Sequence, residues 1–243
     1  MNNKFWSIPF AVPATIVGIS LMLSAVVGAY TFYRVRSFDN SLSVVGSAKQ
    51  AVMADSAKWQ SSVSRIVPAG QLQSGYTQLA RDAAVVIDFL KKNGVSDEAL
   101  IVSPVFVEER YDYNNQGPRE YTLRQNLTVE SKDVNQIADL AKRASQLINQ
   151  GVFFSPGQPE YYYSGLASLR VSLLADAIRD ARARAEQLAV SSGQRVGALK
   201  SAASGVVQVL SPNSIDVSDY GQYDTSSIAK EVMVTVRASF VVR

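Results

Sequence analysis

The stretch Tyr121-Thr-Leu-Arg-Gln-Asn-Leu-Thr-Val-Glu130 has the two-residue period of a half-buried β-strand. One predicted face is apolar and carries Tyr121, Leu123, Leu127 and Val129. The other is polar and carries Thr122, Arg124, Asn126, Thr128 and Glu130. The segment Ile101 to Glu109 also has strand character, and polar residues 111–118 between the two predict a turn. We therefore expect a hairpin with one buried face and one wet face.

Helical periodicity appears on both sides of this hairpin. Apolar residues recur at three- and four-residue steps from Tyr76 to Leu90 and from Ile137 to Ile148. Asp133 and Gln136 have capping-box spacing before the second segment, and Gly151 follows it as a stop. Both segments are predicted to be amphipathic helices.

The longest predicted helix runs from about Leu166 to Ser192. Its buried side is predicted to carry Leu169, Leu173, Ala177, Ile178, Ala181, Leu188 and Ala189. On the other side, Asp180 precedes Arg184 by four residues and Arg182 precedes Glu186 by four. Such pairs are typical of a solvated helix face.

Further strand signals complete the predicted body. They lie at Leu42–Ala48, Ala57–Val63, Glu160–Tyr163, Val206–Leu210 and Val232–Val242. Strands and helices do not alternate here as parallel crossover units do, so we expect an α+β fold with mixed or antiparallel sheets and helices packed on one face. This body spans residues 37–243, which is long enough to bury a sizeable core.

An apolar segment precedes the body, because residues 5–33 carry no charged side chain. About 20 helical residues span about 30 Å, the thickness of a bilayer's hydrocarbon core. We predict one N-terminal transmembrane helix at about residues 13–33, within an anchor of residues 1–36. Its length favours a retained anchor over a cleavable signal, for which Val27-Gly28-Ala29 is the tolerable cleavage site. Basic residues on both sides of the helix leave its orientation open.

Small residues recur every fourth position inside this helix, at Ser20, Ser24 and Gly28. The spacing places them on one face and is typical of helices that pack closely in a bilayer. Small residues are also common in transmembrane helices without such packing, so a helix–helix contact is one of two interpretations.

Composition excludes many classes of enzyme, since the chain has no cysteine and no histidine. Thiol nucleophiles, disulfides, imidazole catalysis, the Ser-His-Asp triad and ordinary zinc sites are all ruled out. Net charge is +3, and no long basic run exists, so we expect no nucleic-acid partner. We predict no enzymatic activity, no cofactor and no metal; an enzyme restricted to carboxylates, tyrosine or serine is a minor alternative.

A polar loop is predicted at residues 211–228, between two strands. At 18 residues it exceeds the roughly 12–15 usual for structureless connections, which indicates a contact surface or a locally disordered segment. Asp216, Asp219, Tyr220 and Tyr223 are the candidate partner-contact residues. Carboxylates in this loop do not have EF-hand spacing, so no calcium site is predicted.

Several short blocks follow one another along the body. They are Val45-Gly-Ser-Ala48, Ala54-Asp-Ser-Ala57, Lys92-Asn-Gly-Val95, Tyr111-Asp-Tyr113, the strand Tyr121–Val129, Asp176-Ala-Ile-Arg-Asp-Ala-Arg-Ala-Arg-Ala-Glu-Gln-Leu-Ala189 and Gly193-Gln-Arg-Val-Gly197. In this order they resemble the bacterial SIMPL-domain family, which includes periplasmic immunogenic antigens and envelope proteins linked to oxidative-stress tolerance. The resemblance implies an α+β body that lies outside the inner membrane. Some members of the family look like subunits of ring- or cage-like homo-oligomers. The resemblance implies no catalytic residue.

Two departures from the family accompany the resemblance. Family members commonly carry Pro-Asp where this chain has Ala54-Asp55, and many have a cleavable signal where this chain has a predicted anchor.

Two functional hypotheses follow. The first is an envelope protein anchored in the bacterial inner membrane by a single pass, whose exported body self-associates into a homo-oligomer with a structural, scaffolding or protective role. The alternative is an envelope binding module that captures a peptide, a glycan or a partner protein through the 211–228 loop.

Overall fold

A computed structural model describes residues 11–37, 40–110, 119–214 and 218–243. The fold is α+β, as predicted, with sheets, packed helices and one N-terminal apolar helix. Tyr111–Tyr113, quoted above for the family resemblance, lies outside the described residues.

The elements are numbered in chain order. The helices are α1 (Ala11–Ser37), α2 (Leu72–Lys92), α3 (Val134–Arg143), α4 (Ser145–Ile148) and α5 (Leu166–Ser191). The strands are β1 (Ser41–Met53), β2 (Ser56–Pro68), β3 (Leu100–Val102), β4 (Phe106–Arg110), β5 (Glu120–Ser131), β6 (Phe154–Pro156), β7 (Glu160–Tyr162), β8 (Val196–Leu210), β9 (Gln222–Tyr223) and β10 (Ala229–Val242). Short 3₁₀ turns lie at Ala69–Gln71 and Asp97–Ala99.

The chain divides into two compact units. The first unit comprises Met1–Ala48, Leu174–Gly205 and Thr235–Arg243, and the second comprises Lys49–Leu173 and Val206–Val234. One four-stranded sheet has the order β1-β10-β8-β9. A six-stranded sheet has the order β3-β5-β2-β6, with β4 also paired to β5 and β7 to β2.

Helix α1 contains the apolar segment Pro13–Val35. With 23 residues, this segment is long enough and apolar enough to cross a membrane. Every one of these side chains is exposed within the described chain, including Ser20, Ser24 and Gly28. The Ser20 hydroxyl donates to the Val17 carbonyl at 2.9 Å, so its polar group is satisfied inside the helix. The contact face of these three small residues stays a prediction.

In the second unit, β2 and β5 form the centre of the six-stranded sheet. They pair antiparallel over their full length, from Ala57 opposite Ser131 to Pro68 opposite Glu120. One face is buried beneath α2 and α3, with Trp59, Leu127 and Val129 among its side chains. The pairing of the predicted hairpin is confirmed, because β4 pairs antiparallel with β5, but the predicted first strand, Ile101–Glu109, is divided into β3 and β4. The predicted turn, residues 111–118, lies outside the described residues.

An ion pair lies under α2 in this unit. Asp82 is mostly buried, and its two carboxylate oxygens accept hydrogen bonds from Nε and Nη2 of Arg65 at 2.5 and 2.9 Å. These hydrogen bonds raise the pKa of Arg65 above its ordinary value, against the opposing effect of burial. The pair ties α2 to β2 by a bidentate contact.

Helix α3 begins as predicted but ends earlier. The Asp133 carboxylate accepts from the N–H groups of Asn135 and Gln136 at 3.1 and 3.0 Å, which is an N-cap. The second arm of the capping box is absent, since the Asp133 N–H donates to Ser131 Oγ at 3.0 Å and not to the Gln136 side chain. The predicted single helix is two short helices separated at Ala144, followed by Gly151 with a positive φ of 78°.

In the first unit, α5 packs on strands through alanines. Ala177, Ala181 and Ala185 are fully buried against a cluster that also holds Val44, Val236, Ala238 and Phe240. A side chain at Gly46 would overlap the backbone of Ala177 and Ala181, so the strand and helix approach as closely as their backbones allow.

The predicted buried side of α5 needs one correction. Leu188 is 54% exposed, and Ile178 is only partly buried, whereas Ala185, which the prediction left out, is fully buried. The buried positions keep a strict four-residue spacing: Leu169, Leu173, Ala177, Ala181, Ala185 and Ala189. Leu188 lies one position before this row and is rotated about 100° from it.

Strand β8 is longer than predicted and begins at Val196 rather than Val206. Within the first unit it runs antiparallel to β10, because Gly197 lies against Val241 and Gly205 against Thr235. The predicted loop 211–228 contains a short strand, β9, which pairs parallel with β8 at Gln208 and Val209. Asp216 lies outside the described residues.

Candidate functional site

The polar face of the six-stranded sheet, in the second unit, is the candidate site. We call it the open face. On β2 and β5 it carries Ser56, Lys58, Gln60, Ser62, Ser64, Thr122, Arg124, Asn126, Thr128 and Glu130, as the strand register dictates. The flanking strands add Phe106, Ser155, Glu160 and Tyr162, each opposite a residue of this set. The predicted wet face of the hairpin is therefore confirmed and extends over β2, β6 and β7.

One end of the open face holds a concavity of about 480 Å³, which we call the charged cavity. Its lining is Ser56, Ala57, Lys58, Glu98, Ala99, Glu130, Ser131, Lys132 and Tyr162. Lys58 Nζ lies 3.7 Å from Glu130 Oε1 across the β2–β5 pair. Basic and acidic side chains thus stand together in this cavity.

Tyr162 in the charged cavity is held in place by its neighbour. Its hydroxyl donates to Glu160 Oε2 at 2.7 Å. That hydrogen bond, together with burial and the charge of Glu160, raises the pKa of Tyr162 to about 12. The phenol is therefore neutral at physiological pH and is a poor candidate for a general base.

A second concavity, about 420 Å³, lies further along the same face, and we call it the neutral cavity. Its lining is Gln60, Ser61, Ser62, Ser103, Phe106, Asn126, Thr128, Ser155 and Gly157. None of these lining residues is ionisable. The register explains the change of character, because the pair Lys58–Glu130 gives way to Gln60–Thr128 two residues along the strands.

Backbone contacts hold the walls of the neutral cavity. The Gly157 N–H donates to the Gln60 carbonyl at 2.9 Å, and a Cβ on Gly157 would overlap that carbonyl oxygen. On the other side, the Asn126 N–H donates to Ser103 Oγ at 2.9 Å, and the Ser103 N–H donates to the Asn126 carbonyl at 2.9 Å. Both walls are therefore fixed to the central strands.

The predicted partner-contact loop is tied down around Lys230, which is fully buried. Lys230 Nζ donates to the carbonyls of Asp224 and Ser227 and lies 5.7 Å from the centre of the Tyr223 ring. Burial lowers the pKa of Lys230, and the nearby Asp224 carboxylate opposes that effect.

Asp224 is the second part of this tie. Its carboxylate accepts hydrogen bonds from the N–H and hydroxyl groups of both Ser226 and Ser227. Burial acts to raise the pKa of Asp224, but these hydrogen bonds and the charge of Lys230 outweigh it and lower the pKa to about 2. The carboxylate is a structural anchor for the loop.

The predicted partner-contact residues of the loop therefore differ in how accessible their side chains are to a partner. Tyr223 uses its hydroxyl to accept the Tyr163 N–H at 2.9 Å, and its ring lies 6.0 Å from that of Tyr162. Tyr220 is 96% exposed and Asp219 is exposed as well.

Sequence reasoning missed both cavities and the buried lysine. The polar residues of β2 that line the cavities are ordinary strand-surface serines and glutamine, and nothing in the one-dimensional pattern pairs them with β5. The available signal was the alternation Ser56, Lys58, Gln60, Ser62 beside the buried row Ala57 to Val63.

A comparison with protein-family models finds a match for this chain. A family model named SIMPL, described as a protein of unknown function (DUF541), matches residues 42–241. The chain belongs to the SIMPL family. No curated protein matches the chain. The SIMPL match runs from β1 through β10 and leaves α1 outside it, and together they fit a membrane-anchored or exported protein.

The structure gives physical reasons for the blocks on which the SIMPL resemblance rests. Gly46 is required by the close approach of α5, and the alanines of that helix are its contact points. Asp55 accepts from the N–H and the hydroxyl of Ser164, at 2.9 and 2.6 Å, and so fixes the entry to α5. In this chain Asp55 therefore has a structural role.

Proposed function

We propose that the protein is a non-enzymatic envelope protein, anchored in the bacterial inner membrane by a single pass through α1. Its SIMPL body lies outside the cytoplasm and self-associates into a homo-oligomer with a structural, scaffolding or protective role. Membership of the SIMPL family and the exposed apolar helix support this proposal.

The observation that carries self-association is the edge of β8 in the first unit. From Val196 to Gly205 this strand has β10 on one side, and no described strand lies along the other. Its residues Ala198–Ser204 are exposed, and only Lys200 among them is charged. A long edge strand with few charges presents unpaired backbone groups that add a strand from another chain.

A second copy of the same chain is the partner this edge fits best. Most side chains of Ala198–Ser204 are small, with Leu199 and Lys200 as the exceptions, and the same edge on two copies forms a closed, isologous contact. Anchoring by α1 raises the local concentration of copies in the membrane plane, so even a modest edge contact is populated. The small residues Ser20, Ser24 and Gly28 offer a second contact inside the bilayer.

Proline scanning of the edge tests this proposal. Alternate N–H groups of an edge strand point toward its neighbour and toward solvent. Of the variants Ala202→Pro and Ala203→Pro, one therefore removes a hydrogen bond to β10 and loses stability, while the other removes only an outward N–H. We expect that second variant to keep its melting temperature and to lose the oligomer, measured by cross-linking in membranes and by mass in mild detergent.

Two outcomes would overturn self-association through β8. One is a wild-type protein that stays monomeric in native membranes at cellular concentration. The other is an assembly of wild-type size in the proline variant that keeps its melting temperature. Two further variants measure how much α1 contributes to the assembly. One lacks residues 1–36, and the other combines Ser24→Leu with Gly28→Leu.

Location is tested separately. N-terminal sequencing of the protein from membranes should find the apolar segment still attached, and a start at Tyr30 would show cleavage instead. A reporter enzyme that is active only after export, fused behind Arg243, should be active. Activity of a cytoplasm-only reporter at that position would reverse the proposed topology.

The alternative function, a binding module acting through the 211–228 loop, is favoured by one observation. Tyr220 is 96% exposed, and aromatic side chains that project into solvent are typical anchors for a partner. Under this alternative, Tyr220→Ala abolishes capture of a partner and leaves the oligomeric state unchanged. Under the first proposal, the same substitution changes neither.

A further inference from the structure

We propose that the neutral cavity on the open face binds an uncharged oligosaccharide. This inference is independent of self-association, since the cavity lies in the second unit and uses none of the β8 edge.

Hydrogen-bonding groups without protein partners converge in the cavity. Within the described ranges, no hydrogen bond to protein is formed by the side chains of Gln60, Ser62, Asn126, Thr128 and Ser155. Each amide offers two donors and an acceptor, and each hydroxyl offers one donor and two acceptor lone pairs. A sugar presents hydroxyl groups that both donate and accept, which is the complement of this set.

An aromatic ring completes the lining. Phe106 lies on the open face at the start of β4, opposite Arg124, and half of its surface is exposed. One face of a pyranose ring consists largely of C–H groups, whose partial positive charge suits the electron-rich face of an aromatic ring. Polar groups on the cavity floor and one exposed ring at its side therefore match the two kinds of surface that a sugar presents.

The absence of ionisable side chains in the lining argues for an uncharged ligand. A bound carboxylate, phosphate or ammonium group would lose hydration in this cavity and gain no opposite charge. The charged cavity next to it, with Lys58, Glu98, Glu130 and Lys132, shows the lining that such a ligand would need.

A peptide is a poorer match for the same cavity. Extended peptides are recognised mainly by adding a strand to a sheet edge, where backbone groups are unpaired. The neutral cavity lies on the sheet face, where the β2–β5 ladder already uses the backbone groups of the central strands. The cavity volume of about 420 Å³ is in the usual range for a small-molecule site, about 300–1,000 Å³.

The experiment uses the full chain in lipid nanodiscs of phosphatidylcholine, because many detergents carry sugar headgroups that would compete. The probes are maltotriose and tri-N-acetylchitotriose, with trigalacturonate as the charged counterpart and tri-alanine as the peptide. Saturation-transfer difference NMR detects binding, and a titration gives the Kd. We expect at least one neutral trisaccharide to bind, and trigalacturonate and tri-alanine to bind at least about tenfold more weakly.

Variants locate the site. Asn126→Ala removes two donors and an acceptor and should raise the Kd for the neutral sugar by about 3- to 10-fold, the usual effect of one lost hydrogen-bonding group. Phe106→Ala should do so by a similar factor. The matched control is Lys132→Ala, which lies in the charged cavity and should leave the Kd unchanged. If Asn126→Ala or Phe106→Ala does not fold, Ser155→Ala, at an exposed position, replaces that variant.

Three results would overturn the inference. They are no binding of either neutral trisaccharide, equal or tighter binding of the charged or peptide probe, and binding that Lys132→Ala weakens as much as Asn126→Ala does. Loss of the oligomer in a β8 proline variant with sugar binding intact would show that the two contacts are independent.

Discussion

The second unit is filled by large side chains such as Trp59, Leu127 and Leu140, whereas in the first unit α5 meets the strands through the small side chains of Ala177, Ala181 and Ala185. In the second unit α2 and α3 pack on the sheet through these large side chains. In the first, α5 touches the strand at Gly46. We therefore expect the second unit to be most sensitive to loss of side-chain volume and the first unit to its gain.

The largest effect is expected for Trp59→Ala in the second unit. Trp59 is fully buried, its ring meets Phe154 edge-on at 6.2 Å, and its Nε1 donates to the Gly157 carbonyl at 2.8 Å. Truncation should cost about 3–5 kcal/mol of unfolding free energy through lost burial and the cavity left behind. Denaturant unfolding followed by circular dichroism measures it. A loss below about 1 kcal/mol would contradict the volume-filled description of this unit.

Next in size is Ala185→Leu on α5 in the first unit. Ala185 is fully buried, and a larger side chain there must push the helix off the strands at a cost of about 1–3 kcal/mol. Ala183→Leu is the matched control, because position 183 is exposed on the same helix. Melting temperatures should fall for Ala185→Leu and stay unchanged for the control. Equal melting temperatures would show that the first unit tolerates added volume and would remove the contrast.

An acid titration distinguishes the two units through one carboxylate in each, Asp224 and Asp180. The folded-state pKa of Asp224 is about 2, below its ordinary value of 3.8, so its hydrogen bonds stabilise the second unit above about pH 4. This stabilisation, about 2 kcal/mol, is lost as the pH falls from 4 towards 2. In the first unit, the Ser47 N–H and Arg184 also lower the pKa of Asp180, but that carboxylate is more exposed.

Unfolding free energy at each pH, followed by tryptophan fluorescence, checks the titration. Asp224→Asn should be less stable than wild type at pH 7 and should approach it near pH 2. Asp180→Asn is the control from the first unit and should change this profile less. A variant profile parallel to that of wild type at every pH would contradict the assigned role of Asp224.

The smallest effect is expected on the solvated side of α5. Arg182 Nε lies 2.9 Å from Glu186 Oε1, and both side chains are about half exposed. An exposed pair of this spacing contributes about 0.2–0.5 kcal/mol, so Arg182→Ala should barely move the melting temperature. Leu173→Ala, on the buried side of the same helix, should lower it clearly. Comparable shifts would mean that the helix faces the other way.

The elements predicted well from the sequence are those whose own pattern reports their surroundings. The alternation along β5 predicted both faces of that strand, and the Asp133 cap and the stop at Gly151 were local signals. The apolar run in α1 was predicted by length alone. In each case a period or a terminal residue carries the information.

The features that were not predicted from the sequence depend on contacts between different segments of the chain or on unusually small residues. Residues 196–205 of β8 are too small and too exposed to show an apolar alternation, so the strand was predicted to begin ten residues late. Leu188 was assigned to the buried side because it is apolar, whereas the contact with the strands selects small residues. Both cavities arise from the register of β2 on β5, which no single segment encodes.

The chemical reactivity of the Lys230 amine reports when the segment around it in the second unit opens. Amine-reactive reagents modify lysines at a rate set by access, and the side chain of Lys230 is fully enclosed by the segment that contains Asp224 and Ser227. Its modification therefore requires that segment to open first. Pulse labelling read by mass spectrometry would time that opening at one named position, with Lys132, on the exposed surface, as the reference for free reaction.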